Sequence, residues 1–107
     1  MSCAFDIGRL SYFALKSEVF REIVETKSHN CVFWDEHGSQ KSLRWENTNK
    51  LLGRQSWRGV KTGITLKAGP CLSCADDKYI IVLLNSRSME DRWYEAQILR
   101  NYVHSHY

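Results

Sequence analysis

The sequence lacks the features that would place the chain in a membrane, on nucleic acid or among repetitive proteins. Its 107 residues contain no apolar run near the roughly 18 residues that a bilayer-spanning helix needs, and the longest uncharged stretch of interest is 79–86. The net charge is only +3 and the charges are scattered, so no basic stripe indicates a nucleic-acid surface. No repeat, low-complexity tract or linker divides the chain, which suits one domain or part of one.

The sequence also lacks a secretory signal, a metal motif and a disulfide framework. Asp6 and Arg9 interrupt the only apolar candidate for a signal, so the chain as written is expected to stay in the cytosol. Cys71 and Cys74 form the only close cysteine pair among four cysteines, and such a pair on a strand points to opposite faces. We therefore expect reduced, structural cysteines, with no metal and no cofactor.

The composition is typical of a globular protein, with 43% hydrophobic and 25% charged residues. A helix is predicted over 2–17, with Ser2 as its N-cap and one apolar stripe that includes Phe5, Leu10 and Phe13. A second helix should follow over 18–24, capped by Ser17. Its buried face should comprise Val19, Phe20, Ile23 and Val24.

A third helix is predicted near the C-terminus. Ser88 to Asp91 resembles a capping box, and the helix should run from there to about Val103. The residues spaced for its buried face are Met89, Trp93, Ala96, Leu99 or Arg100, and Val103.

Apolar segments bounded by turn residues predict strands at 27–34, 41–45, 69–75 and 78–85. The first two should form a hairpin through 35–38, and the last two a hairpin around Asp76 and Asp77. Residues 79–84 are apolar throughout, which is typical of a strand covered on both faces, so this strand should lie at the centre of the sheet. The pattern indicates an α+β fold in which helices pack on an antiparallel sheet.

A further strand, 57–65, carries the tripeptide Lys61-Thr62-Gly63 at its centre. Alternation along a strand places Lys61 and Gly63 on one face and Thr62 on the other. An ammonium, a hydroxyl and a glycine that lets a ligand approach the backbone suit the binding of an anion or an acyl group. The tripeptide by itself also arises by chance in chains of this composition, so its surroundings decide its meaning.

Other short motifs surround this strand in a fixed order. They are Ser2-Cys3-Ala4-Phe5-Asp6 at the first helix, Asn47-Thr48-Asn49 followed by Leu51-Leu52, Gly59-Val60-Lys61-Thr62-Gly63-Ile64-Thr65, and Ala68-Gly69-Pro70-Cys71-Leu72. In this order they resemble the C-terminal part of the catalytic domain of serine-type D-alanyl-D-alanine carboxypeptidases, the low-molecular-mass penicillin-binding proteins of peptidase family S11. The resemblance covers roughly residues 2–102.

The resemblance implies a partial β-lactamase/transpeptidase-like fold and a set of site residues. Lys61 and Thr62 would bind the C-terminal carboxylate of a peptide ending in D-Ala-D-Ala, or of a β-lactam. Gly63 would let that ligand lie along the strand, and the backbone N–H of Ile64 would form half of an oxyanion hole. Thr65 would support the backbone turn.

The nucleophile of that family, the serine of a Ser-x-x-Lys motif, has no counterpart here, because no serine has a lysine three residues later. Ser28-His29-Asn30 spells the second family motif, Ser-x-Asn, but in the wrong place in the order. Residues 1–107 are therefore expected to be the C-terminal portion of a catalytic domain, inactive alone, with another segment or chain supplying the missing half. The alternatives are a non-catalytic module that binds peptide carboxylates and a purely structural module.

Overall fold

A computed structural model describes all residues, 1–107, as three helices and five strands. In chain order these are α1 (Ala4–Ala14), α2 (Glu18–Glu25), β1 (Ser28–Trp34), β2 (Gln40–Glu46), β3 (Val60–Thr65), β4 (Gly69–Ala75), β5 (Ile80–Leu83) and α3 (Asp91–His106). Strands β1 and β2 form a separate antiparallel hairpin, and the other strands form an antiparallel sheet in the order β3-β4-β5. The predicted α+β class is confirmed.

The prediction that residues 79–84 form the centre of the sheet is wrong, because β5 is an edge strand and β4 lies in the middle. Helices cover both faces of β5. Ile81 belongs to the core beneath α3, and Gly8 of α1 lies against Val82 on the other face. The apolar residues of this strand are therefore explained by the helices on its two faces, and they do not require a strand on each side.

The core lies between α3 and one face of the three-stranded sheet. Its buried residues are Leu51, Trp57, Leu72, Cys74, Ile81 and Ala96. Burial raises the pKa of the Cys74 thiol to about 12, with the charge of Asp76 acting in the same direction, so the thiol stays protonated. The loop between β2 and β3 is fixed to this core through Leu51 and through Trp57, whose Nε1 donates to Gln97 at 3.3 Å.

Helix α2 packs where the chain enters β3. Ser17 caps it as predicted, accepting a hydrogen bond from the N–H of Phe20 at 3.3 Å. Arg58 and Gly59 both pair with Ala75, which makes a β-bulge just before β3. Gly59 has φ +132°, and a Cβ there would lie 2.9 Å from Cγ2 of Val24. A glycine is therefore required both by the backbone and by the close approach of α2.

The predicted buried face of α1 is wrong, and that of α2 is only partly right, since Phe20 and Val24 are half-buried. Helix α1 begins after Cys3, not at a Ser2 cap, and it turns Gly8 and the buried Ser11 toward the sheet. Its large apolar side chains face outward, with Phe5 72% exposed, and Val19 and Ile23 of α2 are exposed as well. Apolar spacing predicts which side of a helix favours burial, but no residue of this chain covers these sides.

Helix α3 begins two residues after the sequence pattern predicts. Ser88 still accepts a hydrogen bond from the N–H of Asp91 at 3.0 Å, as a capping residue would. Arg92 and Ala96 are the buried residues, whereas Met89 is exposed. The Arg92 guanidinium is buried because it donates to the carbonyls of Met89 and Cys71, a contact that apolar spacing does not reveal.

Asp76 connects the β4–β5 turn to the C-terminal half of α3. Its Oδ1 accepts from the N–H groups of Lys78 and Tyr79 at 2.8 Å each. Its Oδ2 lies 2.9 Å from Nε of Arg100 and 2.6 Å from Nε2 of His104. Burial acts to raise the pKa of Asp76, but the hydrogen bonds from His104 and from the backbone hold it below its ordinary 3.8.

The molecule is elongated, with principal extents of 57 × 32 × 24 Å. Its radius of gyration is 16.0 Å, compared with about 13 Å for a compact domain of this length. Only 14 of the 107 residues are buried, and every residue of β2 is exposed. None of the helices has the length and apolarity to cross a membrane.

We expect Gly59→Ala to lower the free energy of unfolding by about 1–3 kcal/mol, because it combines an unfavourable φ with a clash against Val24. Gly63→Ala is the matched control, since a Cβ at Gly63 meets nothing within 4 Å. Urea denaturation measures both variants. Equal stability losses in the two would show that the bulge does not require glycine.

The Asp76 contacts also predict a pH dependence. Because the folded state lowers this pKa, the stabilisation is present above the ordinary carboxyl range and is lost as pH falls through the folded-state pKa. At neutral pH, Asp76→Asn should cost about 1–3 kcal/mol, and the difference from wild type should shrink below pH 3.8. A difference that stays constant in denaturation experiments at neutral and acid pH would contradict this assignment.

Candidate functional site

Strand β3, which carries Lys61-Thr62-Gly63, is the outer strand of the sheet and pairs only with β4. The register pairs Lys61 with Ser73, Thr62 with Leu72, Gly63 with Cys71, Ile64 with Pro70 and Thr65 with Gly69. One long side of the central tripeptide is thus free of any neighbouring strand. An unpaired edge presents backbone donors and acceptors to whatever lies beside it.

The direction of the backbone groups on β3 follows from this register. The carbonyl of Pro70 faces away from β3, since it accepts a hydrogen bond from the N–H of Ser86 at 2.9 Å. Its partner Ile64 therefore points its own N–H and C=O away from β4. Alternation gives Thr62 the same direction and turns Gly63 toward β4. The free edge thus offers the N–H and C=O of Thr62 and Ile64.

Lys61 and Gly63 share the face of the sheet on which α1 packs, together with Ser73 and Val82. A pocket of about 740 Å³ lies on this side. The residues that line it are Met1, Ser2, Ile7, Lys61, Thr62, Gly63, Thr65, Lys67, Ala68, Cys71, Leu72, Ser73, Val82 and Leu84. Its size falls in the range of small-molecule sites, and its lining combines apolar side chains with two lysines.

The Lys61 side chain is exposed, and its ammonium donates to the carbonyl of Thr62, which belongs to the free edge. A Cβ added at Gly63 would meet no atom within 4 Å. The strand therefore has a positive charge beside a stretch of backbone that no side chain obstructs. This combination can bind an extended, anionic ligand.

The Thr62 hydroxyl is not on the same face as the Lys61 ammonium. It makes a 2.6 Å hydrogen bond with the hydroxyl of Thr48, on the opposite side of the sheet. Among the predicted site residues, the structure thus places Lys61 and Gly63 together, while Thr62 contributes its backbone to the pocket edge. The Thr65 hydroxyl accepts from the N–H of Ala68 at 2.9 Å and lies in the turn between β3 and β4.

The asparagines before β3 position Thr48. Asn47 donates to the carbonyls of Val24 and Thr26, at 3.2 and 2.9 Å, so it ties the loop to the end of α2. The buried Asn49 accepts from the N–H of Leu51 at 3.0 Å. These contacts explain why asparagines flank the threonine that bonds to Thr62.

Sequence reasoning did not identify a pair of buried hydroxyls beside Lys61. Ser11 of α1 and Ser73 of β4 form a 2.7 Å hydrogen bond, and Ser73 lies directly across from Lys61. Their proximity to Lys61 follows from the pairing register of β3 and β4, which cannot be read from local sequence. No group of His, Cys, Asp and Glu side chains could hold a metal ion, and all four cysteines are free.

Comparison with solved structures defines the class of protein to which this fold belongs. The chain superposes on the Streptomyces K15 DD-transpeptidase with a TM-score of 0.88 at 32% identity, covering 94% of this chain and 41% of that one. A point mutant of the same enzyme gives a TM-score of 0.87 at 31% identity, with the same coverage. The chain therefore spans about 41% of the length of these relatives, whose fold it shares over that part.

A more distant structure has the same fold. Penicillin-binding protein D2 from Listeria monocytogenes, in its cefotaxime-bound form, matches with a TM-score of 0.64 at 24% identity, covering 86% of this chain and 36% of that one. No curated protein matches the chain. The model of the D-alanyl-D-alanine carboxypeptidase family, peptidase S11, matches residues 1–87, and this chain belongs to that family.

The one-sided pairing of β3 predicts a pattern of amide exchange. The N–H groups of Thr62 and Ile64 should exchange with solvent much faster than those of Lys61 and Gly63, because only the latter point toward β4. Residue-resolved hydrogen exchange by NMR measures all four in one sample. Equal exchange rates at the four amides would contradict the one-sided pairing of β3.

Proposed function

We propose that this chain provides the substrate-binding edge of a serine-type D-Ala-D-Ala carboxypeptidase. In this proposal β3 binds a peptide that ends in D-Ala-D-Ala, or a β-lactam. One observation supports it above all others. Lys61 and the unobstructed Gly63 lie on a free sheet edge that borders a pocket of about 740 Å³.

The chemistry of this edge suits a peptide with a free carboxylate. The Lys61 ammonium can leave the Thr62 carbonyl and pair with the ligand carboxylate, forming a charge-assisted hydrogen bond. The backbone groups of Thr62 and Ile64 can pair with the ligand backbone as an added strand. Thr62 can assist with its hydroxyl only if that group exchanges its bond to Thr48 for one to the ligand.

The N–H of Ile64 is the proposed half of an oxyanion hole. It points to the free edge, where the carbonyl of a ligand aligned along β3 would lie. A backbone N–H directed at that carbonyl stabilises the negative charge that develops on the oxygen during acyl transfer. Thr65, bonded to the N–H of Ala68, stabilises the turn that follows this residue.

The acyl-transfer step itself needs a serine hydroxyl that attacks the peptide carbonyl, releases D-alanine and is then freed by water. None of the serines in this chain has the lysine at the third following position that would activate it. We therefore assign the reaction to the complete protein. The chain alone should bind such ligands without cleaving them.

We also propose that the nucleophile-bearing part of the domain covers the outward apolar sides of α1 and α2. Phe5, Leu10 and Phe13 on α1, and Val19 and Ile23 on α2, are each more than half exposed. Large exposed apolar areas of this kind mark interaction surfaces. The chain spans only about 41% of its structural relatives, so their remaining length is the natural source of this cover.

Replacement of Lys61 by alanine tests the proposal. Lys61→Ala should weaken binding of N-acetyl-D-Ala-D-Ala about tenfold or more, because the ligand carboxylate loses its cationic partner. Calorimetric or NMR titration measures the affinity. Lys41→Ala, which removes a lysine from the exposed strand β2, is the matched control and should leave the affinity unchanged.

N-acetyl-L-Ala-L-Ala is the ligand control and should bind more weakly than the D,D form. Unchanged binding in Lys61→Ala would contradict the proposal and favour a module in which Lys61-Thr62-Gly63 only builds a strand. The chain could also bind the peptide and yet show no acylation by penicillin after the rest of the domain is supplied. That result would favour a non-catalytic carboxylate-binding module.

A further inference from the structure

Two buried hydroxyls lie at the contact between α1 and the sheet. Ser11 is 6% exposed and Ser73 is 4% exposed, and their Oγ atoms are 2.7 Å apart. Only Ser73 belongs to the lining of the pocket beside Lys61, whereas Ser11 lies behind it on the helix. The pair therefore has one member at the pocket and one away from it.

The two hydroxyls together have one more hydrogen than their mutual hydrogen bond uses. Each hydroxyl carries one hydrogen, and the bond between the two uses one of these hydrogens. Neither Oγ has another hydrogen-bond partner, and Ser11 does not bond back to its own helix. If Ser11 donates to Ser73, the hydrogen of Ser73 is free to donate to an acceptor in the pocket. A buried donor without an acceptor is unfavourable, so an oxygen ligand would gain from this site.

Ser73 lies close enough to Lys61 for both side chains to contact one ligand carboxylate. Directly opposed side chains on antiparallel strands have Cβ atoms about 5.5 Å apart, and Ser73 is the β4 partner of Lys61 on the same face. A carboxylate held by the Lys61 ammonium has a second oxygen that can accept from a neighbouring hydroxyl. With Ser11 as the donor to the Ser73 oxygen, the Ser73 hydroxyl becomes a better donor toward the ligand.

We propose that Ser73 is an additional carboxylate-binding residue of the Lys61 pocket and that Ser11 orients its hydroxyl. This inference rests on the proposed function, since it adds a second contact to the same ligand carboxylate. It also makes the pocket selective for an acid over the corresponding neutral amide. Ser73 acts by direct contact, and Ser11 is a positioning residue.

The test compares two probes, N-acetyl-D-Ala-D-Ala and its C-terminal carboxamide, in NMR titrations of the full chain. Ser73→Ala should weaken binding of the acid about tenfold and binding of the carboxamide less than twofold. Ser11→Ala should weaken binding of the acid about two- to threefold, because the Ser73 hydroxyl remains but is no longer oriented. Thermal unfolding of each variant establishes that it is folded at the temperature of the titration.

Ser86→Ala is the matched control, because it removes another buried serine hydroxyl, bonded to Glu95, outside the pocket. It should leave both affinities unchanged. Equal losses for acid and carboxamide in Ser73→Ala would overturn the inference and reduce the pair to a packing contact. Loss of acid binding in Lys61→Ala but not in Ser73→Ala would overturn the inference alone. A wild-type chain that binds neither probe would overturn the proposed function as well.

Discussion

The organisation of the pocket side of the molecule depends on strand β3 having a hydrogen-bonded neighbour on one side only. Pairing with β4 fixes the register, and the register sets the direction of every backbone group along Lys61-Thr62-Gly63. Lys61 and Gly63 face the pocket under α1, while the amides of Thr62 and Ile64 face the free edge. A neighbouring strand on the outer side would bond those amides and close the edge to any ligand.

Contacts from α2, from the loop before β3 and from α3 hold β3 and β4 in position. The β-bulge at Gly59 lets α2 pack against the start of β3, and the bond between Thr48 and Thr62 fixes the strand from the far face. Asp76 joins the β4–β5 turn to α3, which keeps the middle strand seated on the core. These contacts are polar or depend on one glycine, as suits a chain with only 14 buried residues.

Much of this architecture could be predicted from local sequence. The strands, the Ser17 cap and the turn through Gly38 follow from alternation, capping and turn residues, and all appear in the structure. The order of strands could not be predicted, because the apolar run of β5 indicates that both of its faces are covered but not whether the strand lies at the centre or the edge of the sheet. The exposure of apolar side chains on α1 and α2 was also not predicted, because apolar spacing shows which side of a helix favours burial but not which segment packs against it. The Ser11–Ser73 bond depends on a register that no local pattern contains.

The most direct test of the central claim is to map where the ligand binds. Amide chemical shifts of the full chain, recorded during titration with N-acetyl-D-Ala-D-Ala, identify the residues that contact it. Our account predicts the largest changes at Thr62 and Ile64, with no change in the β1–β2 hairpin. Changes confined to the hairpin or to α3, with none along β3, would contradict it.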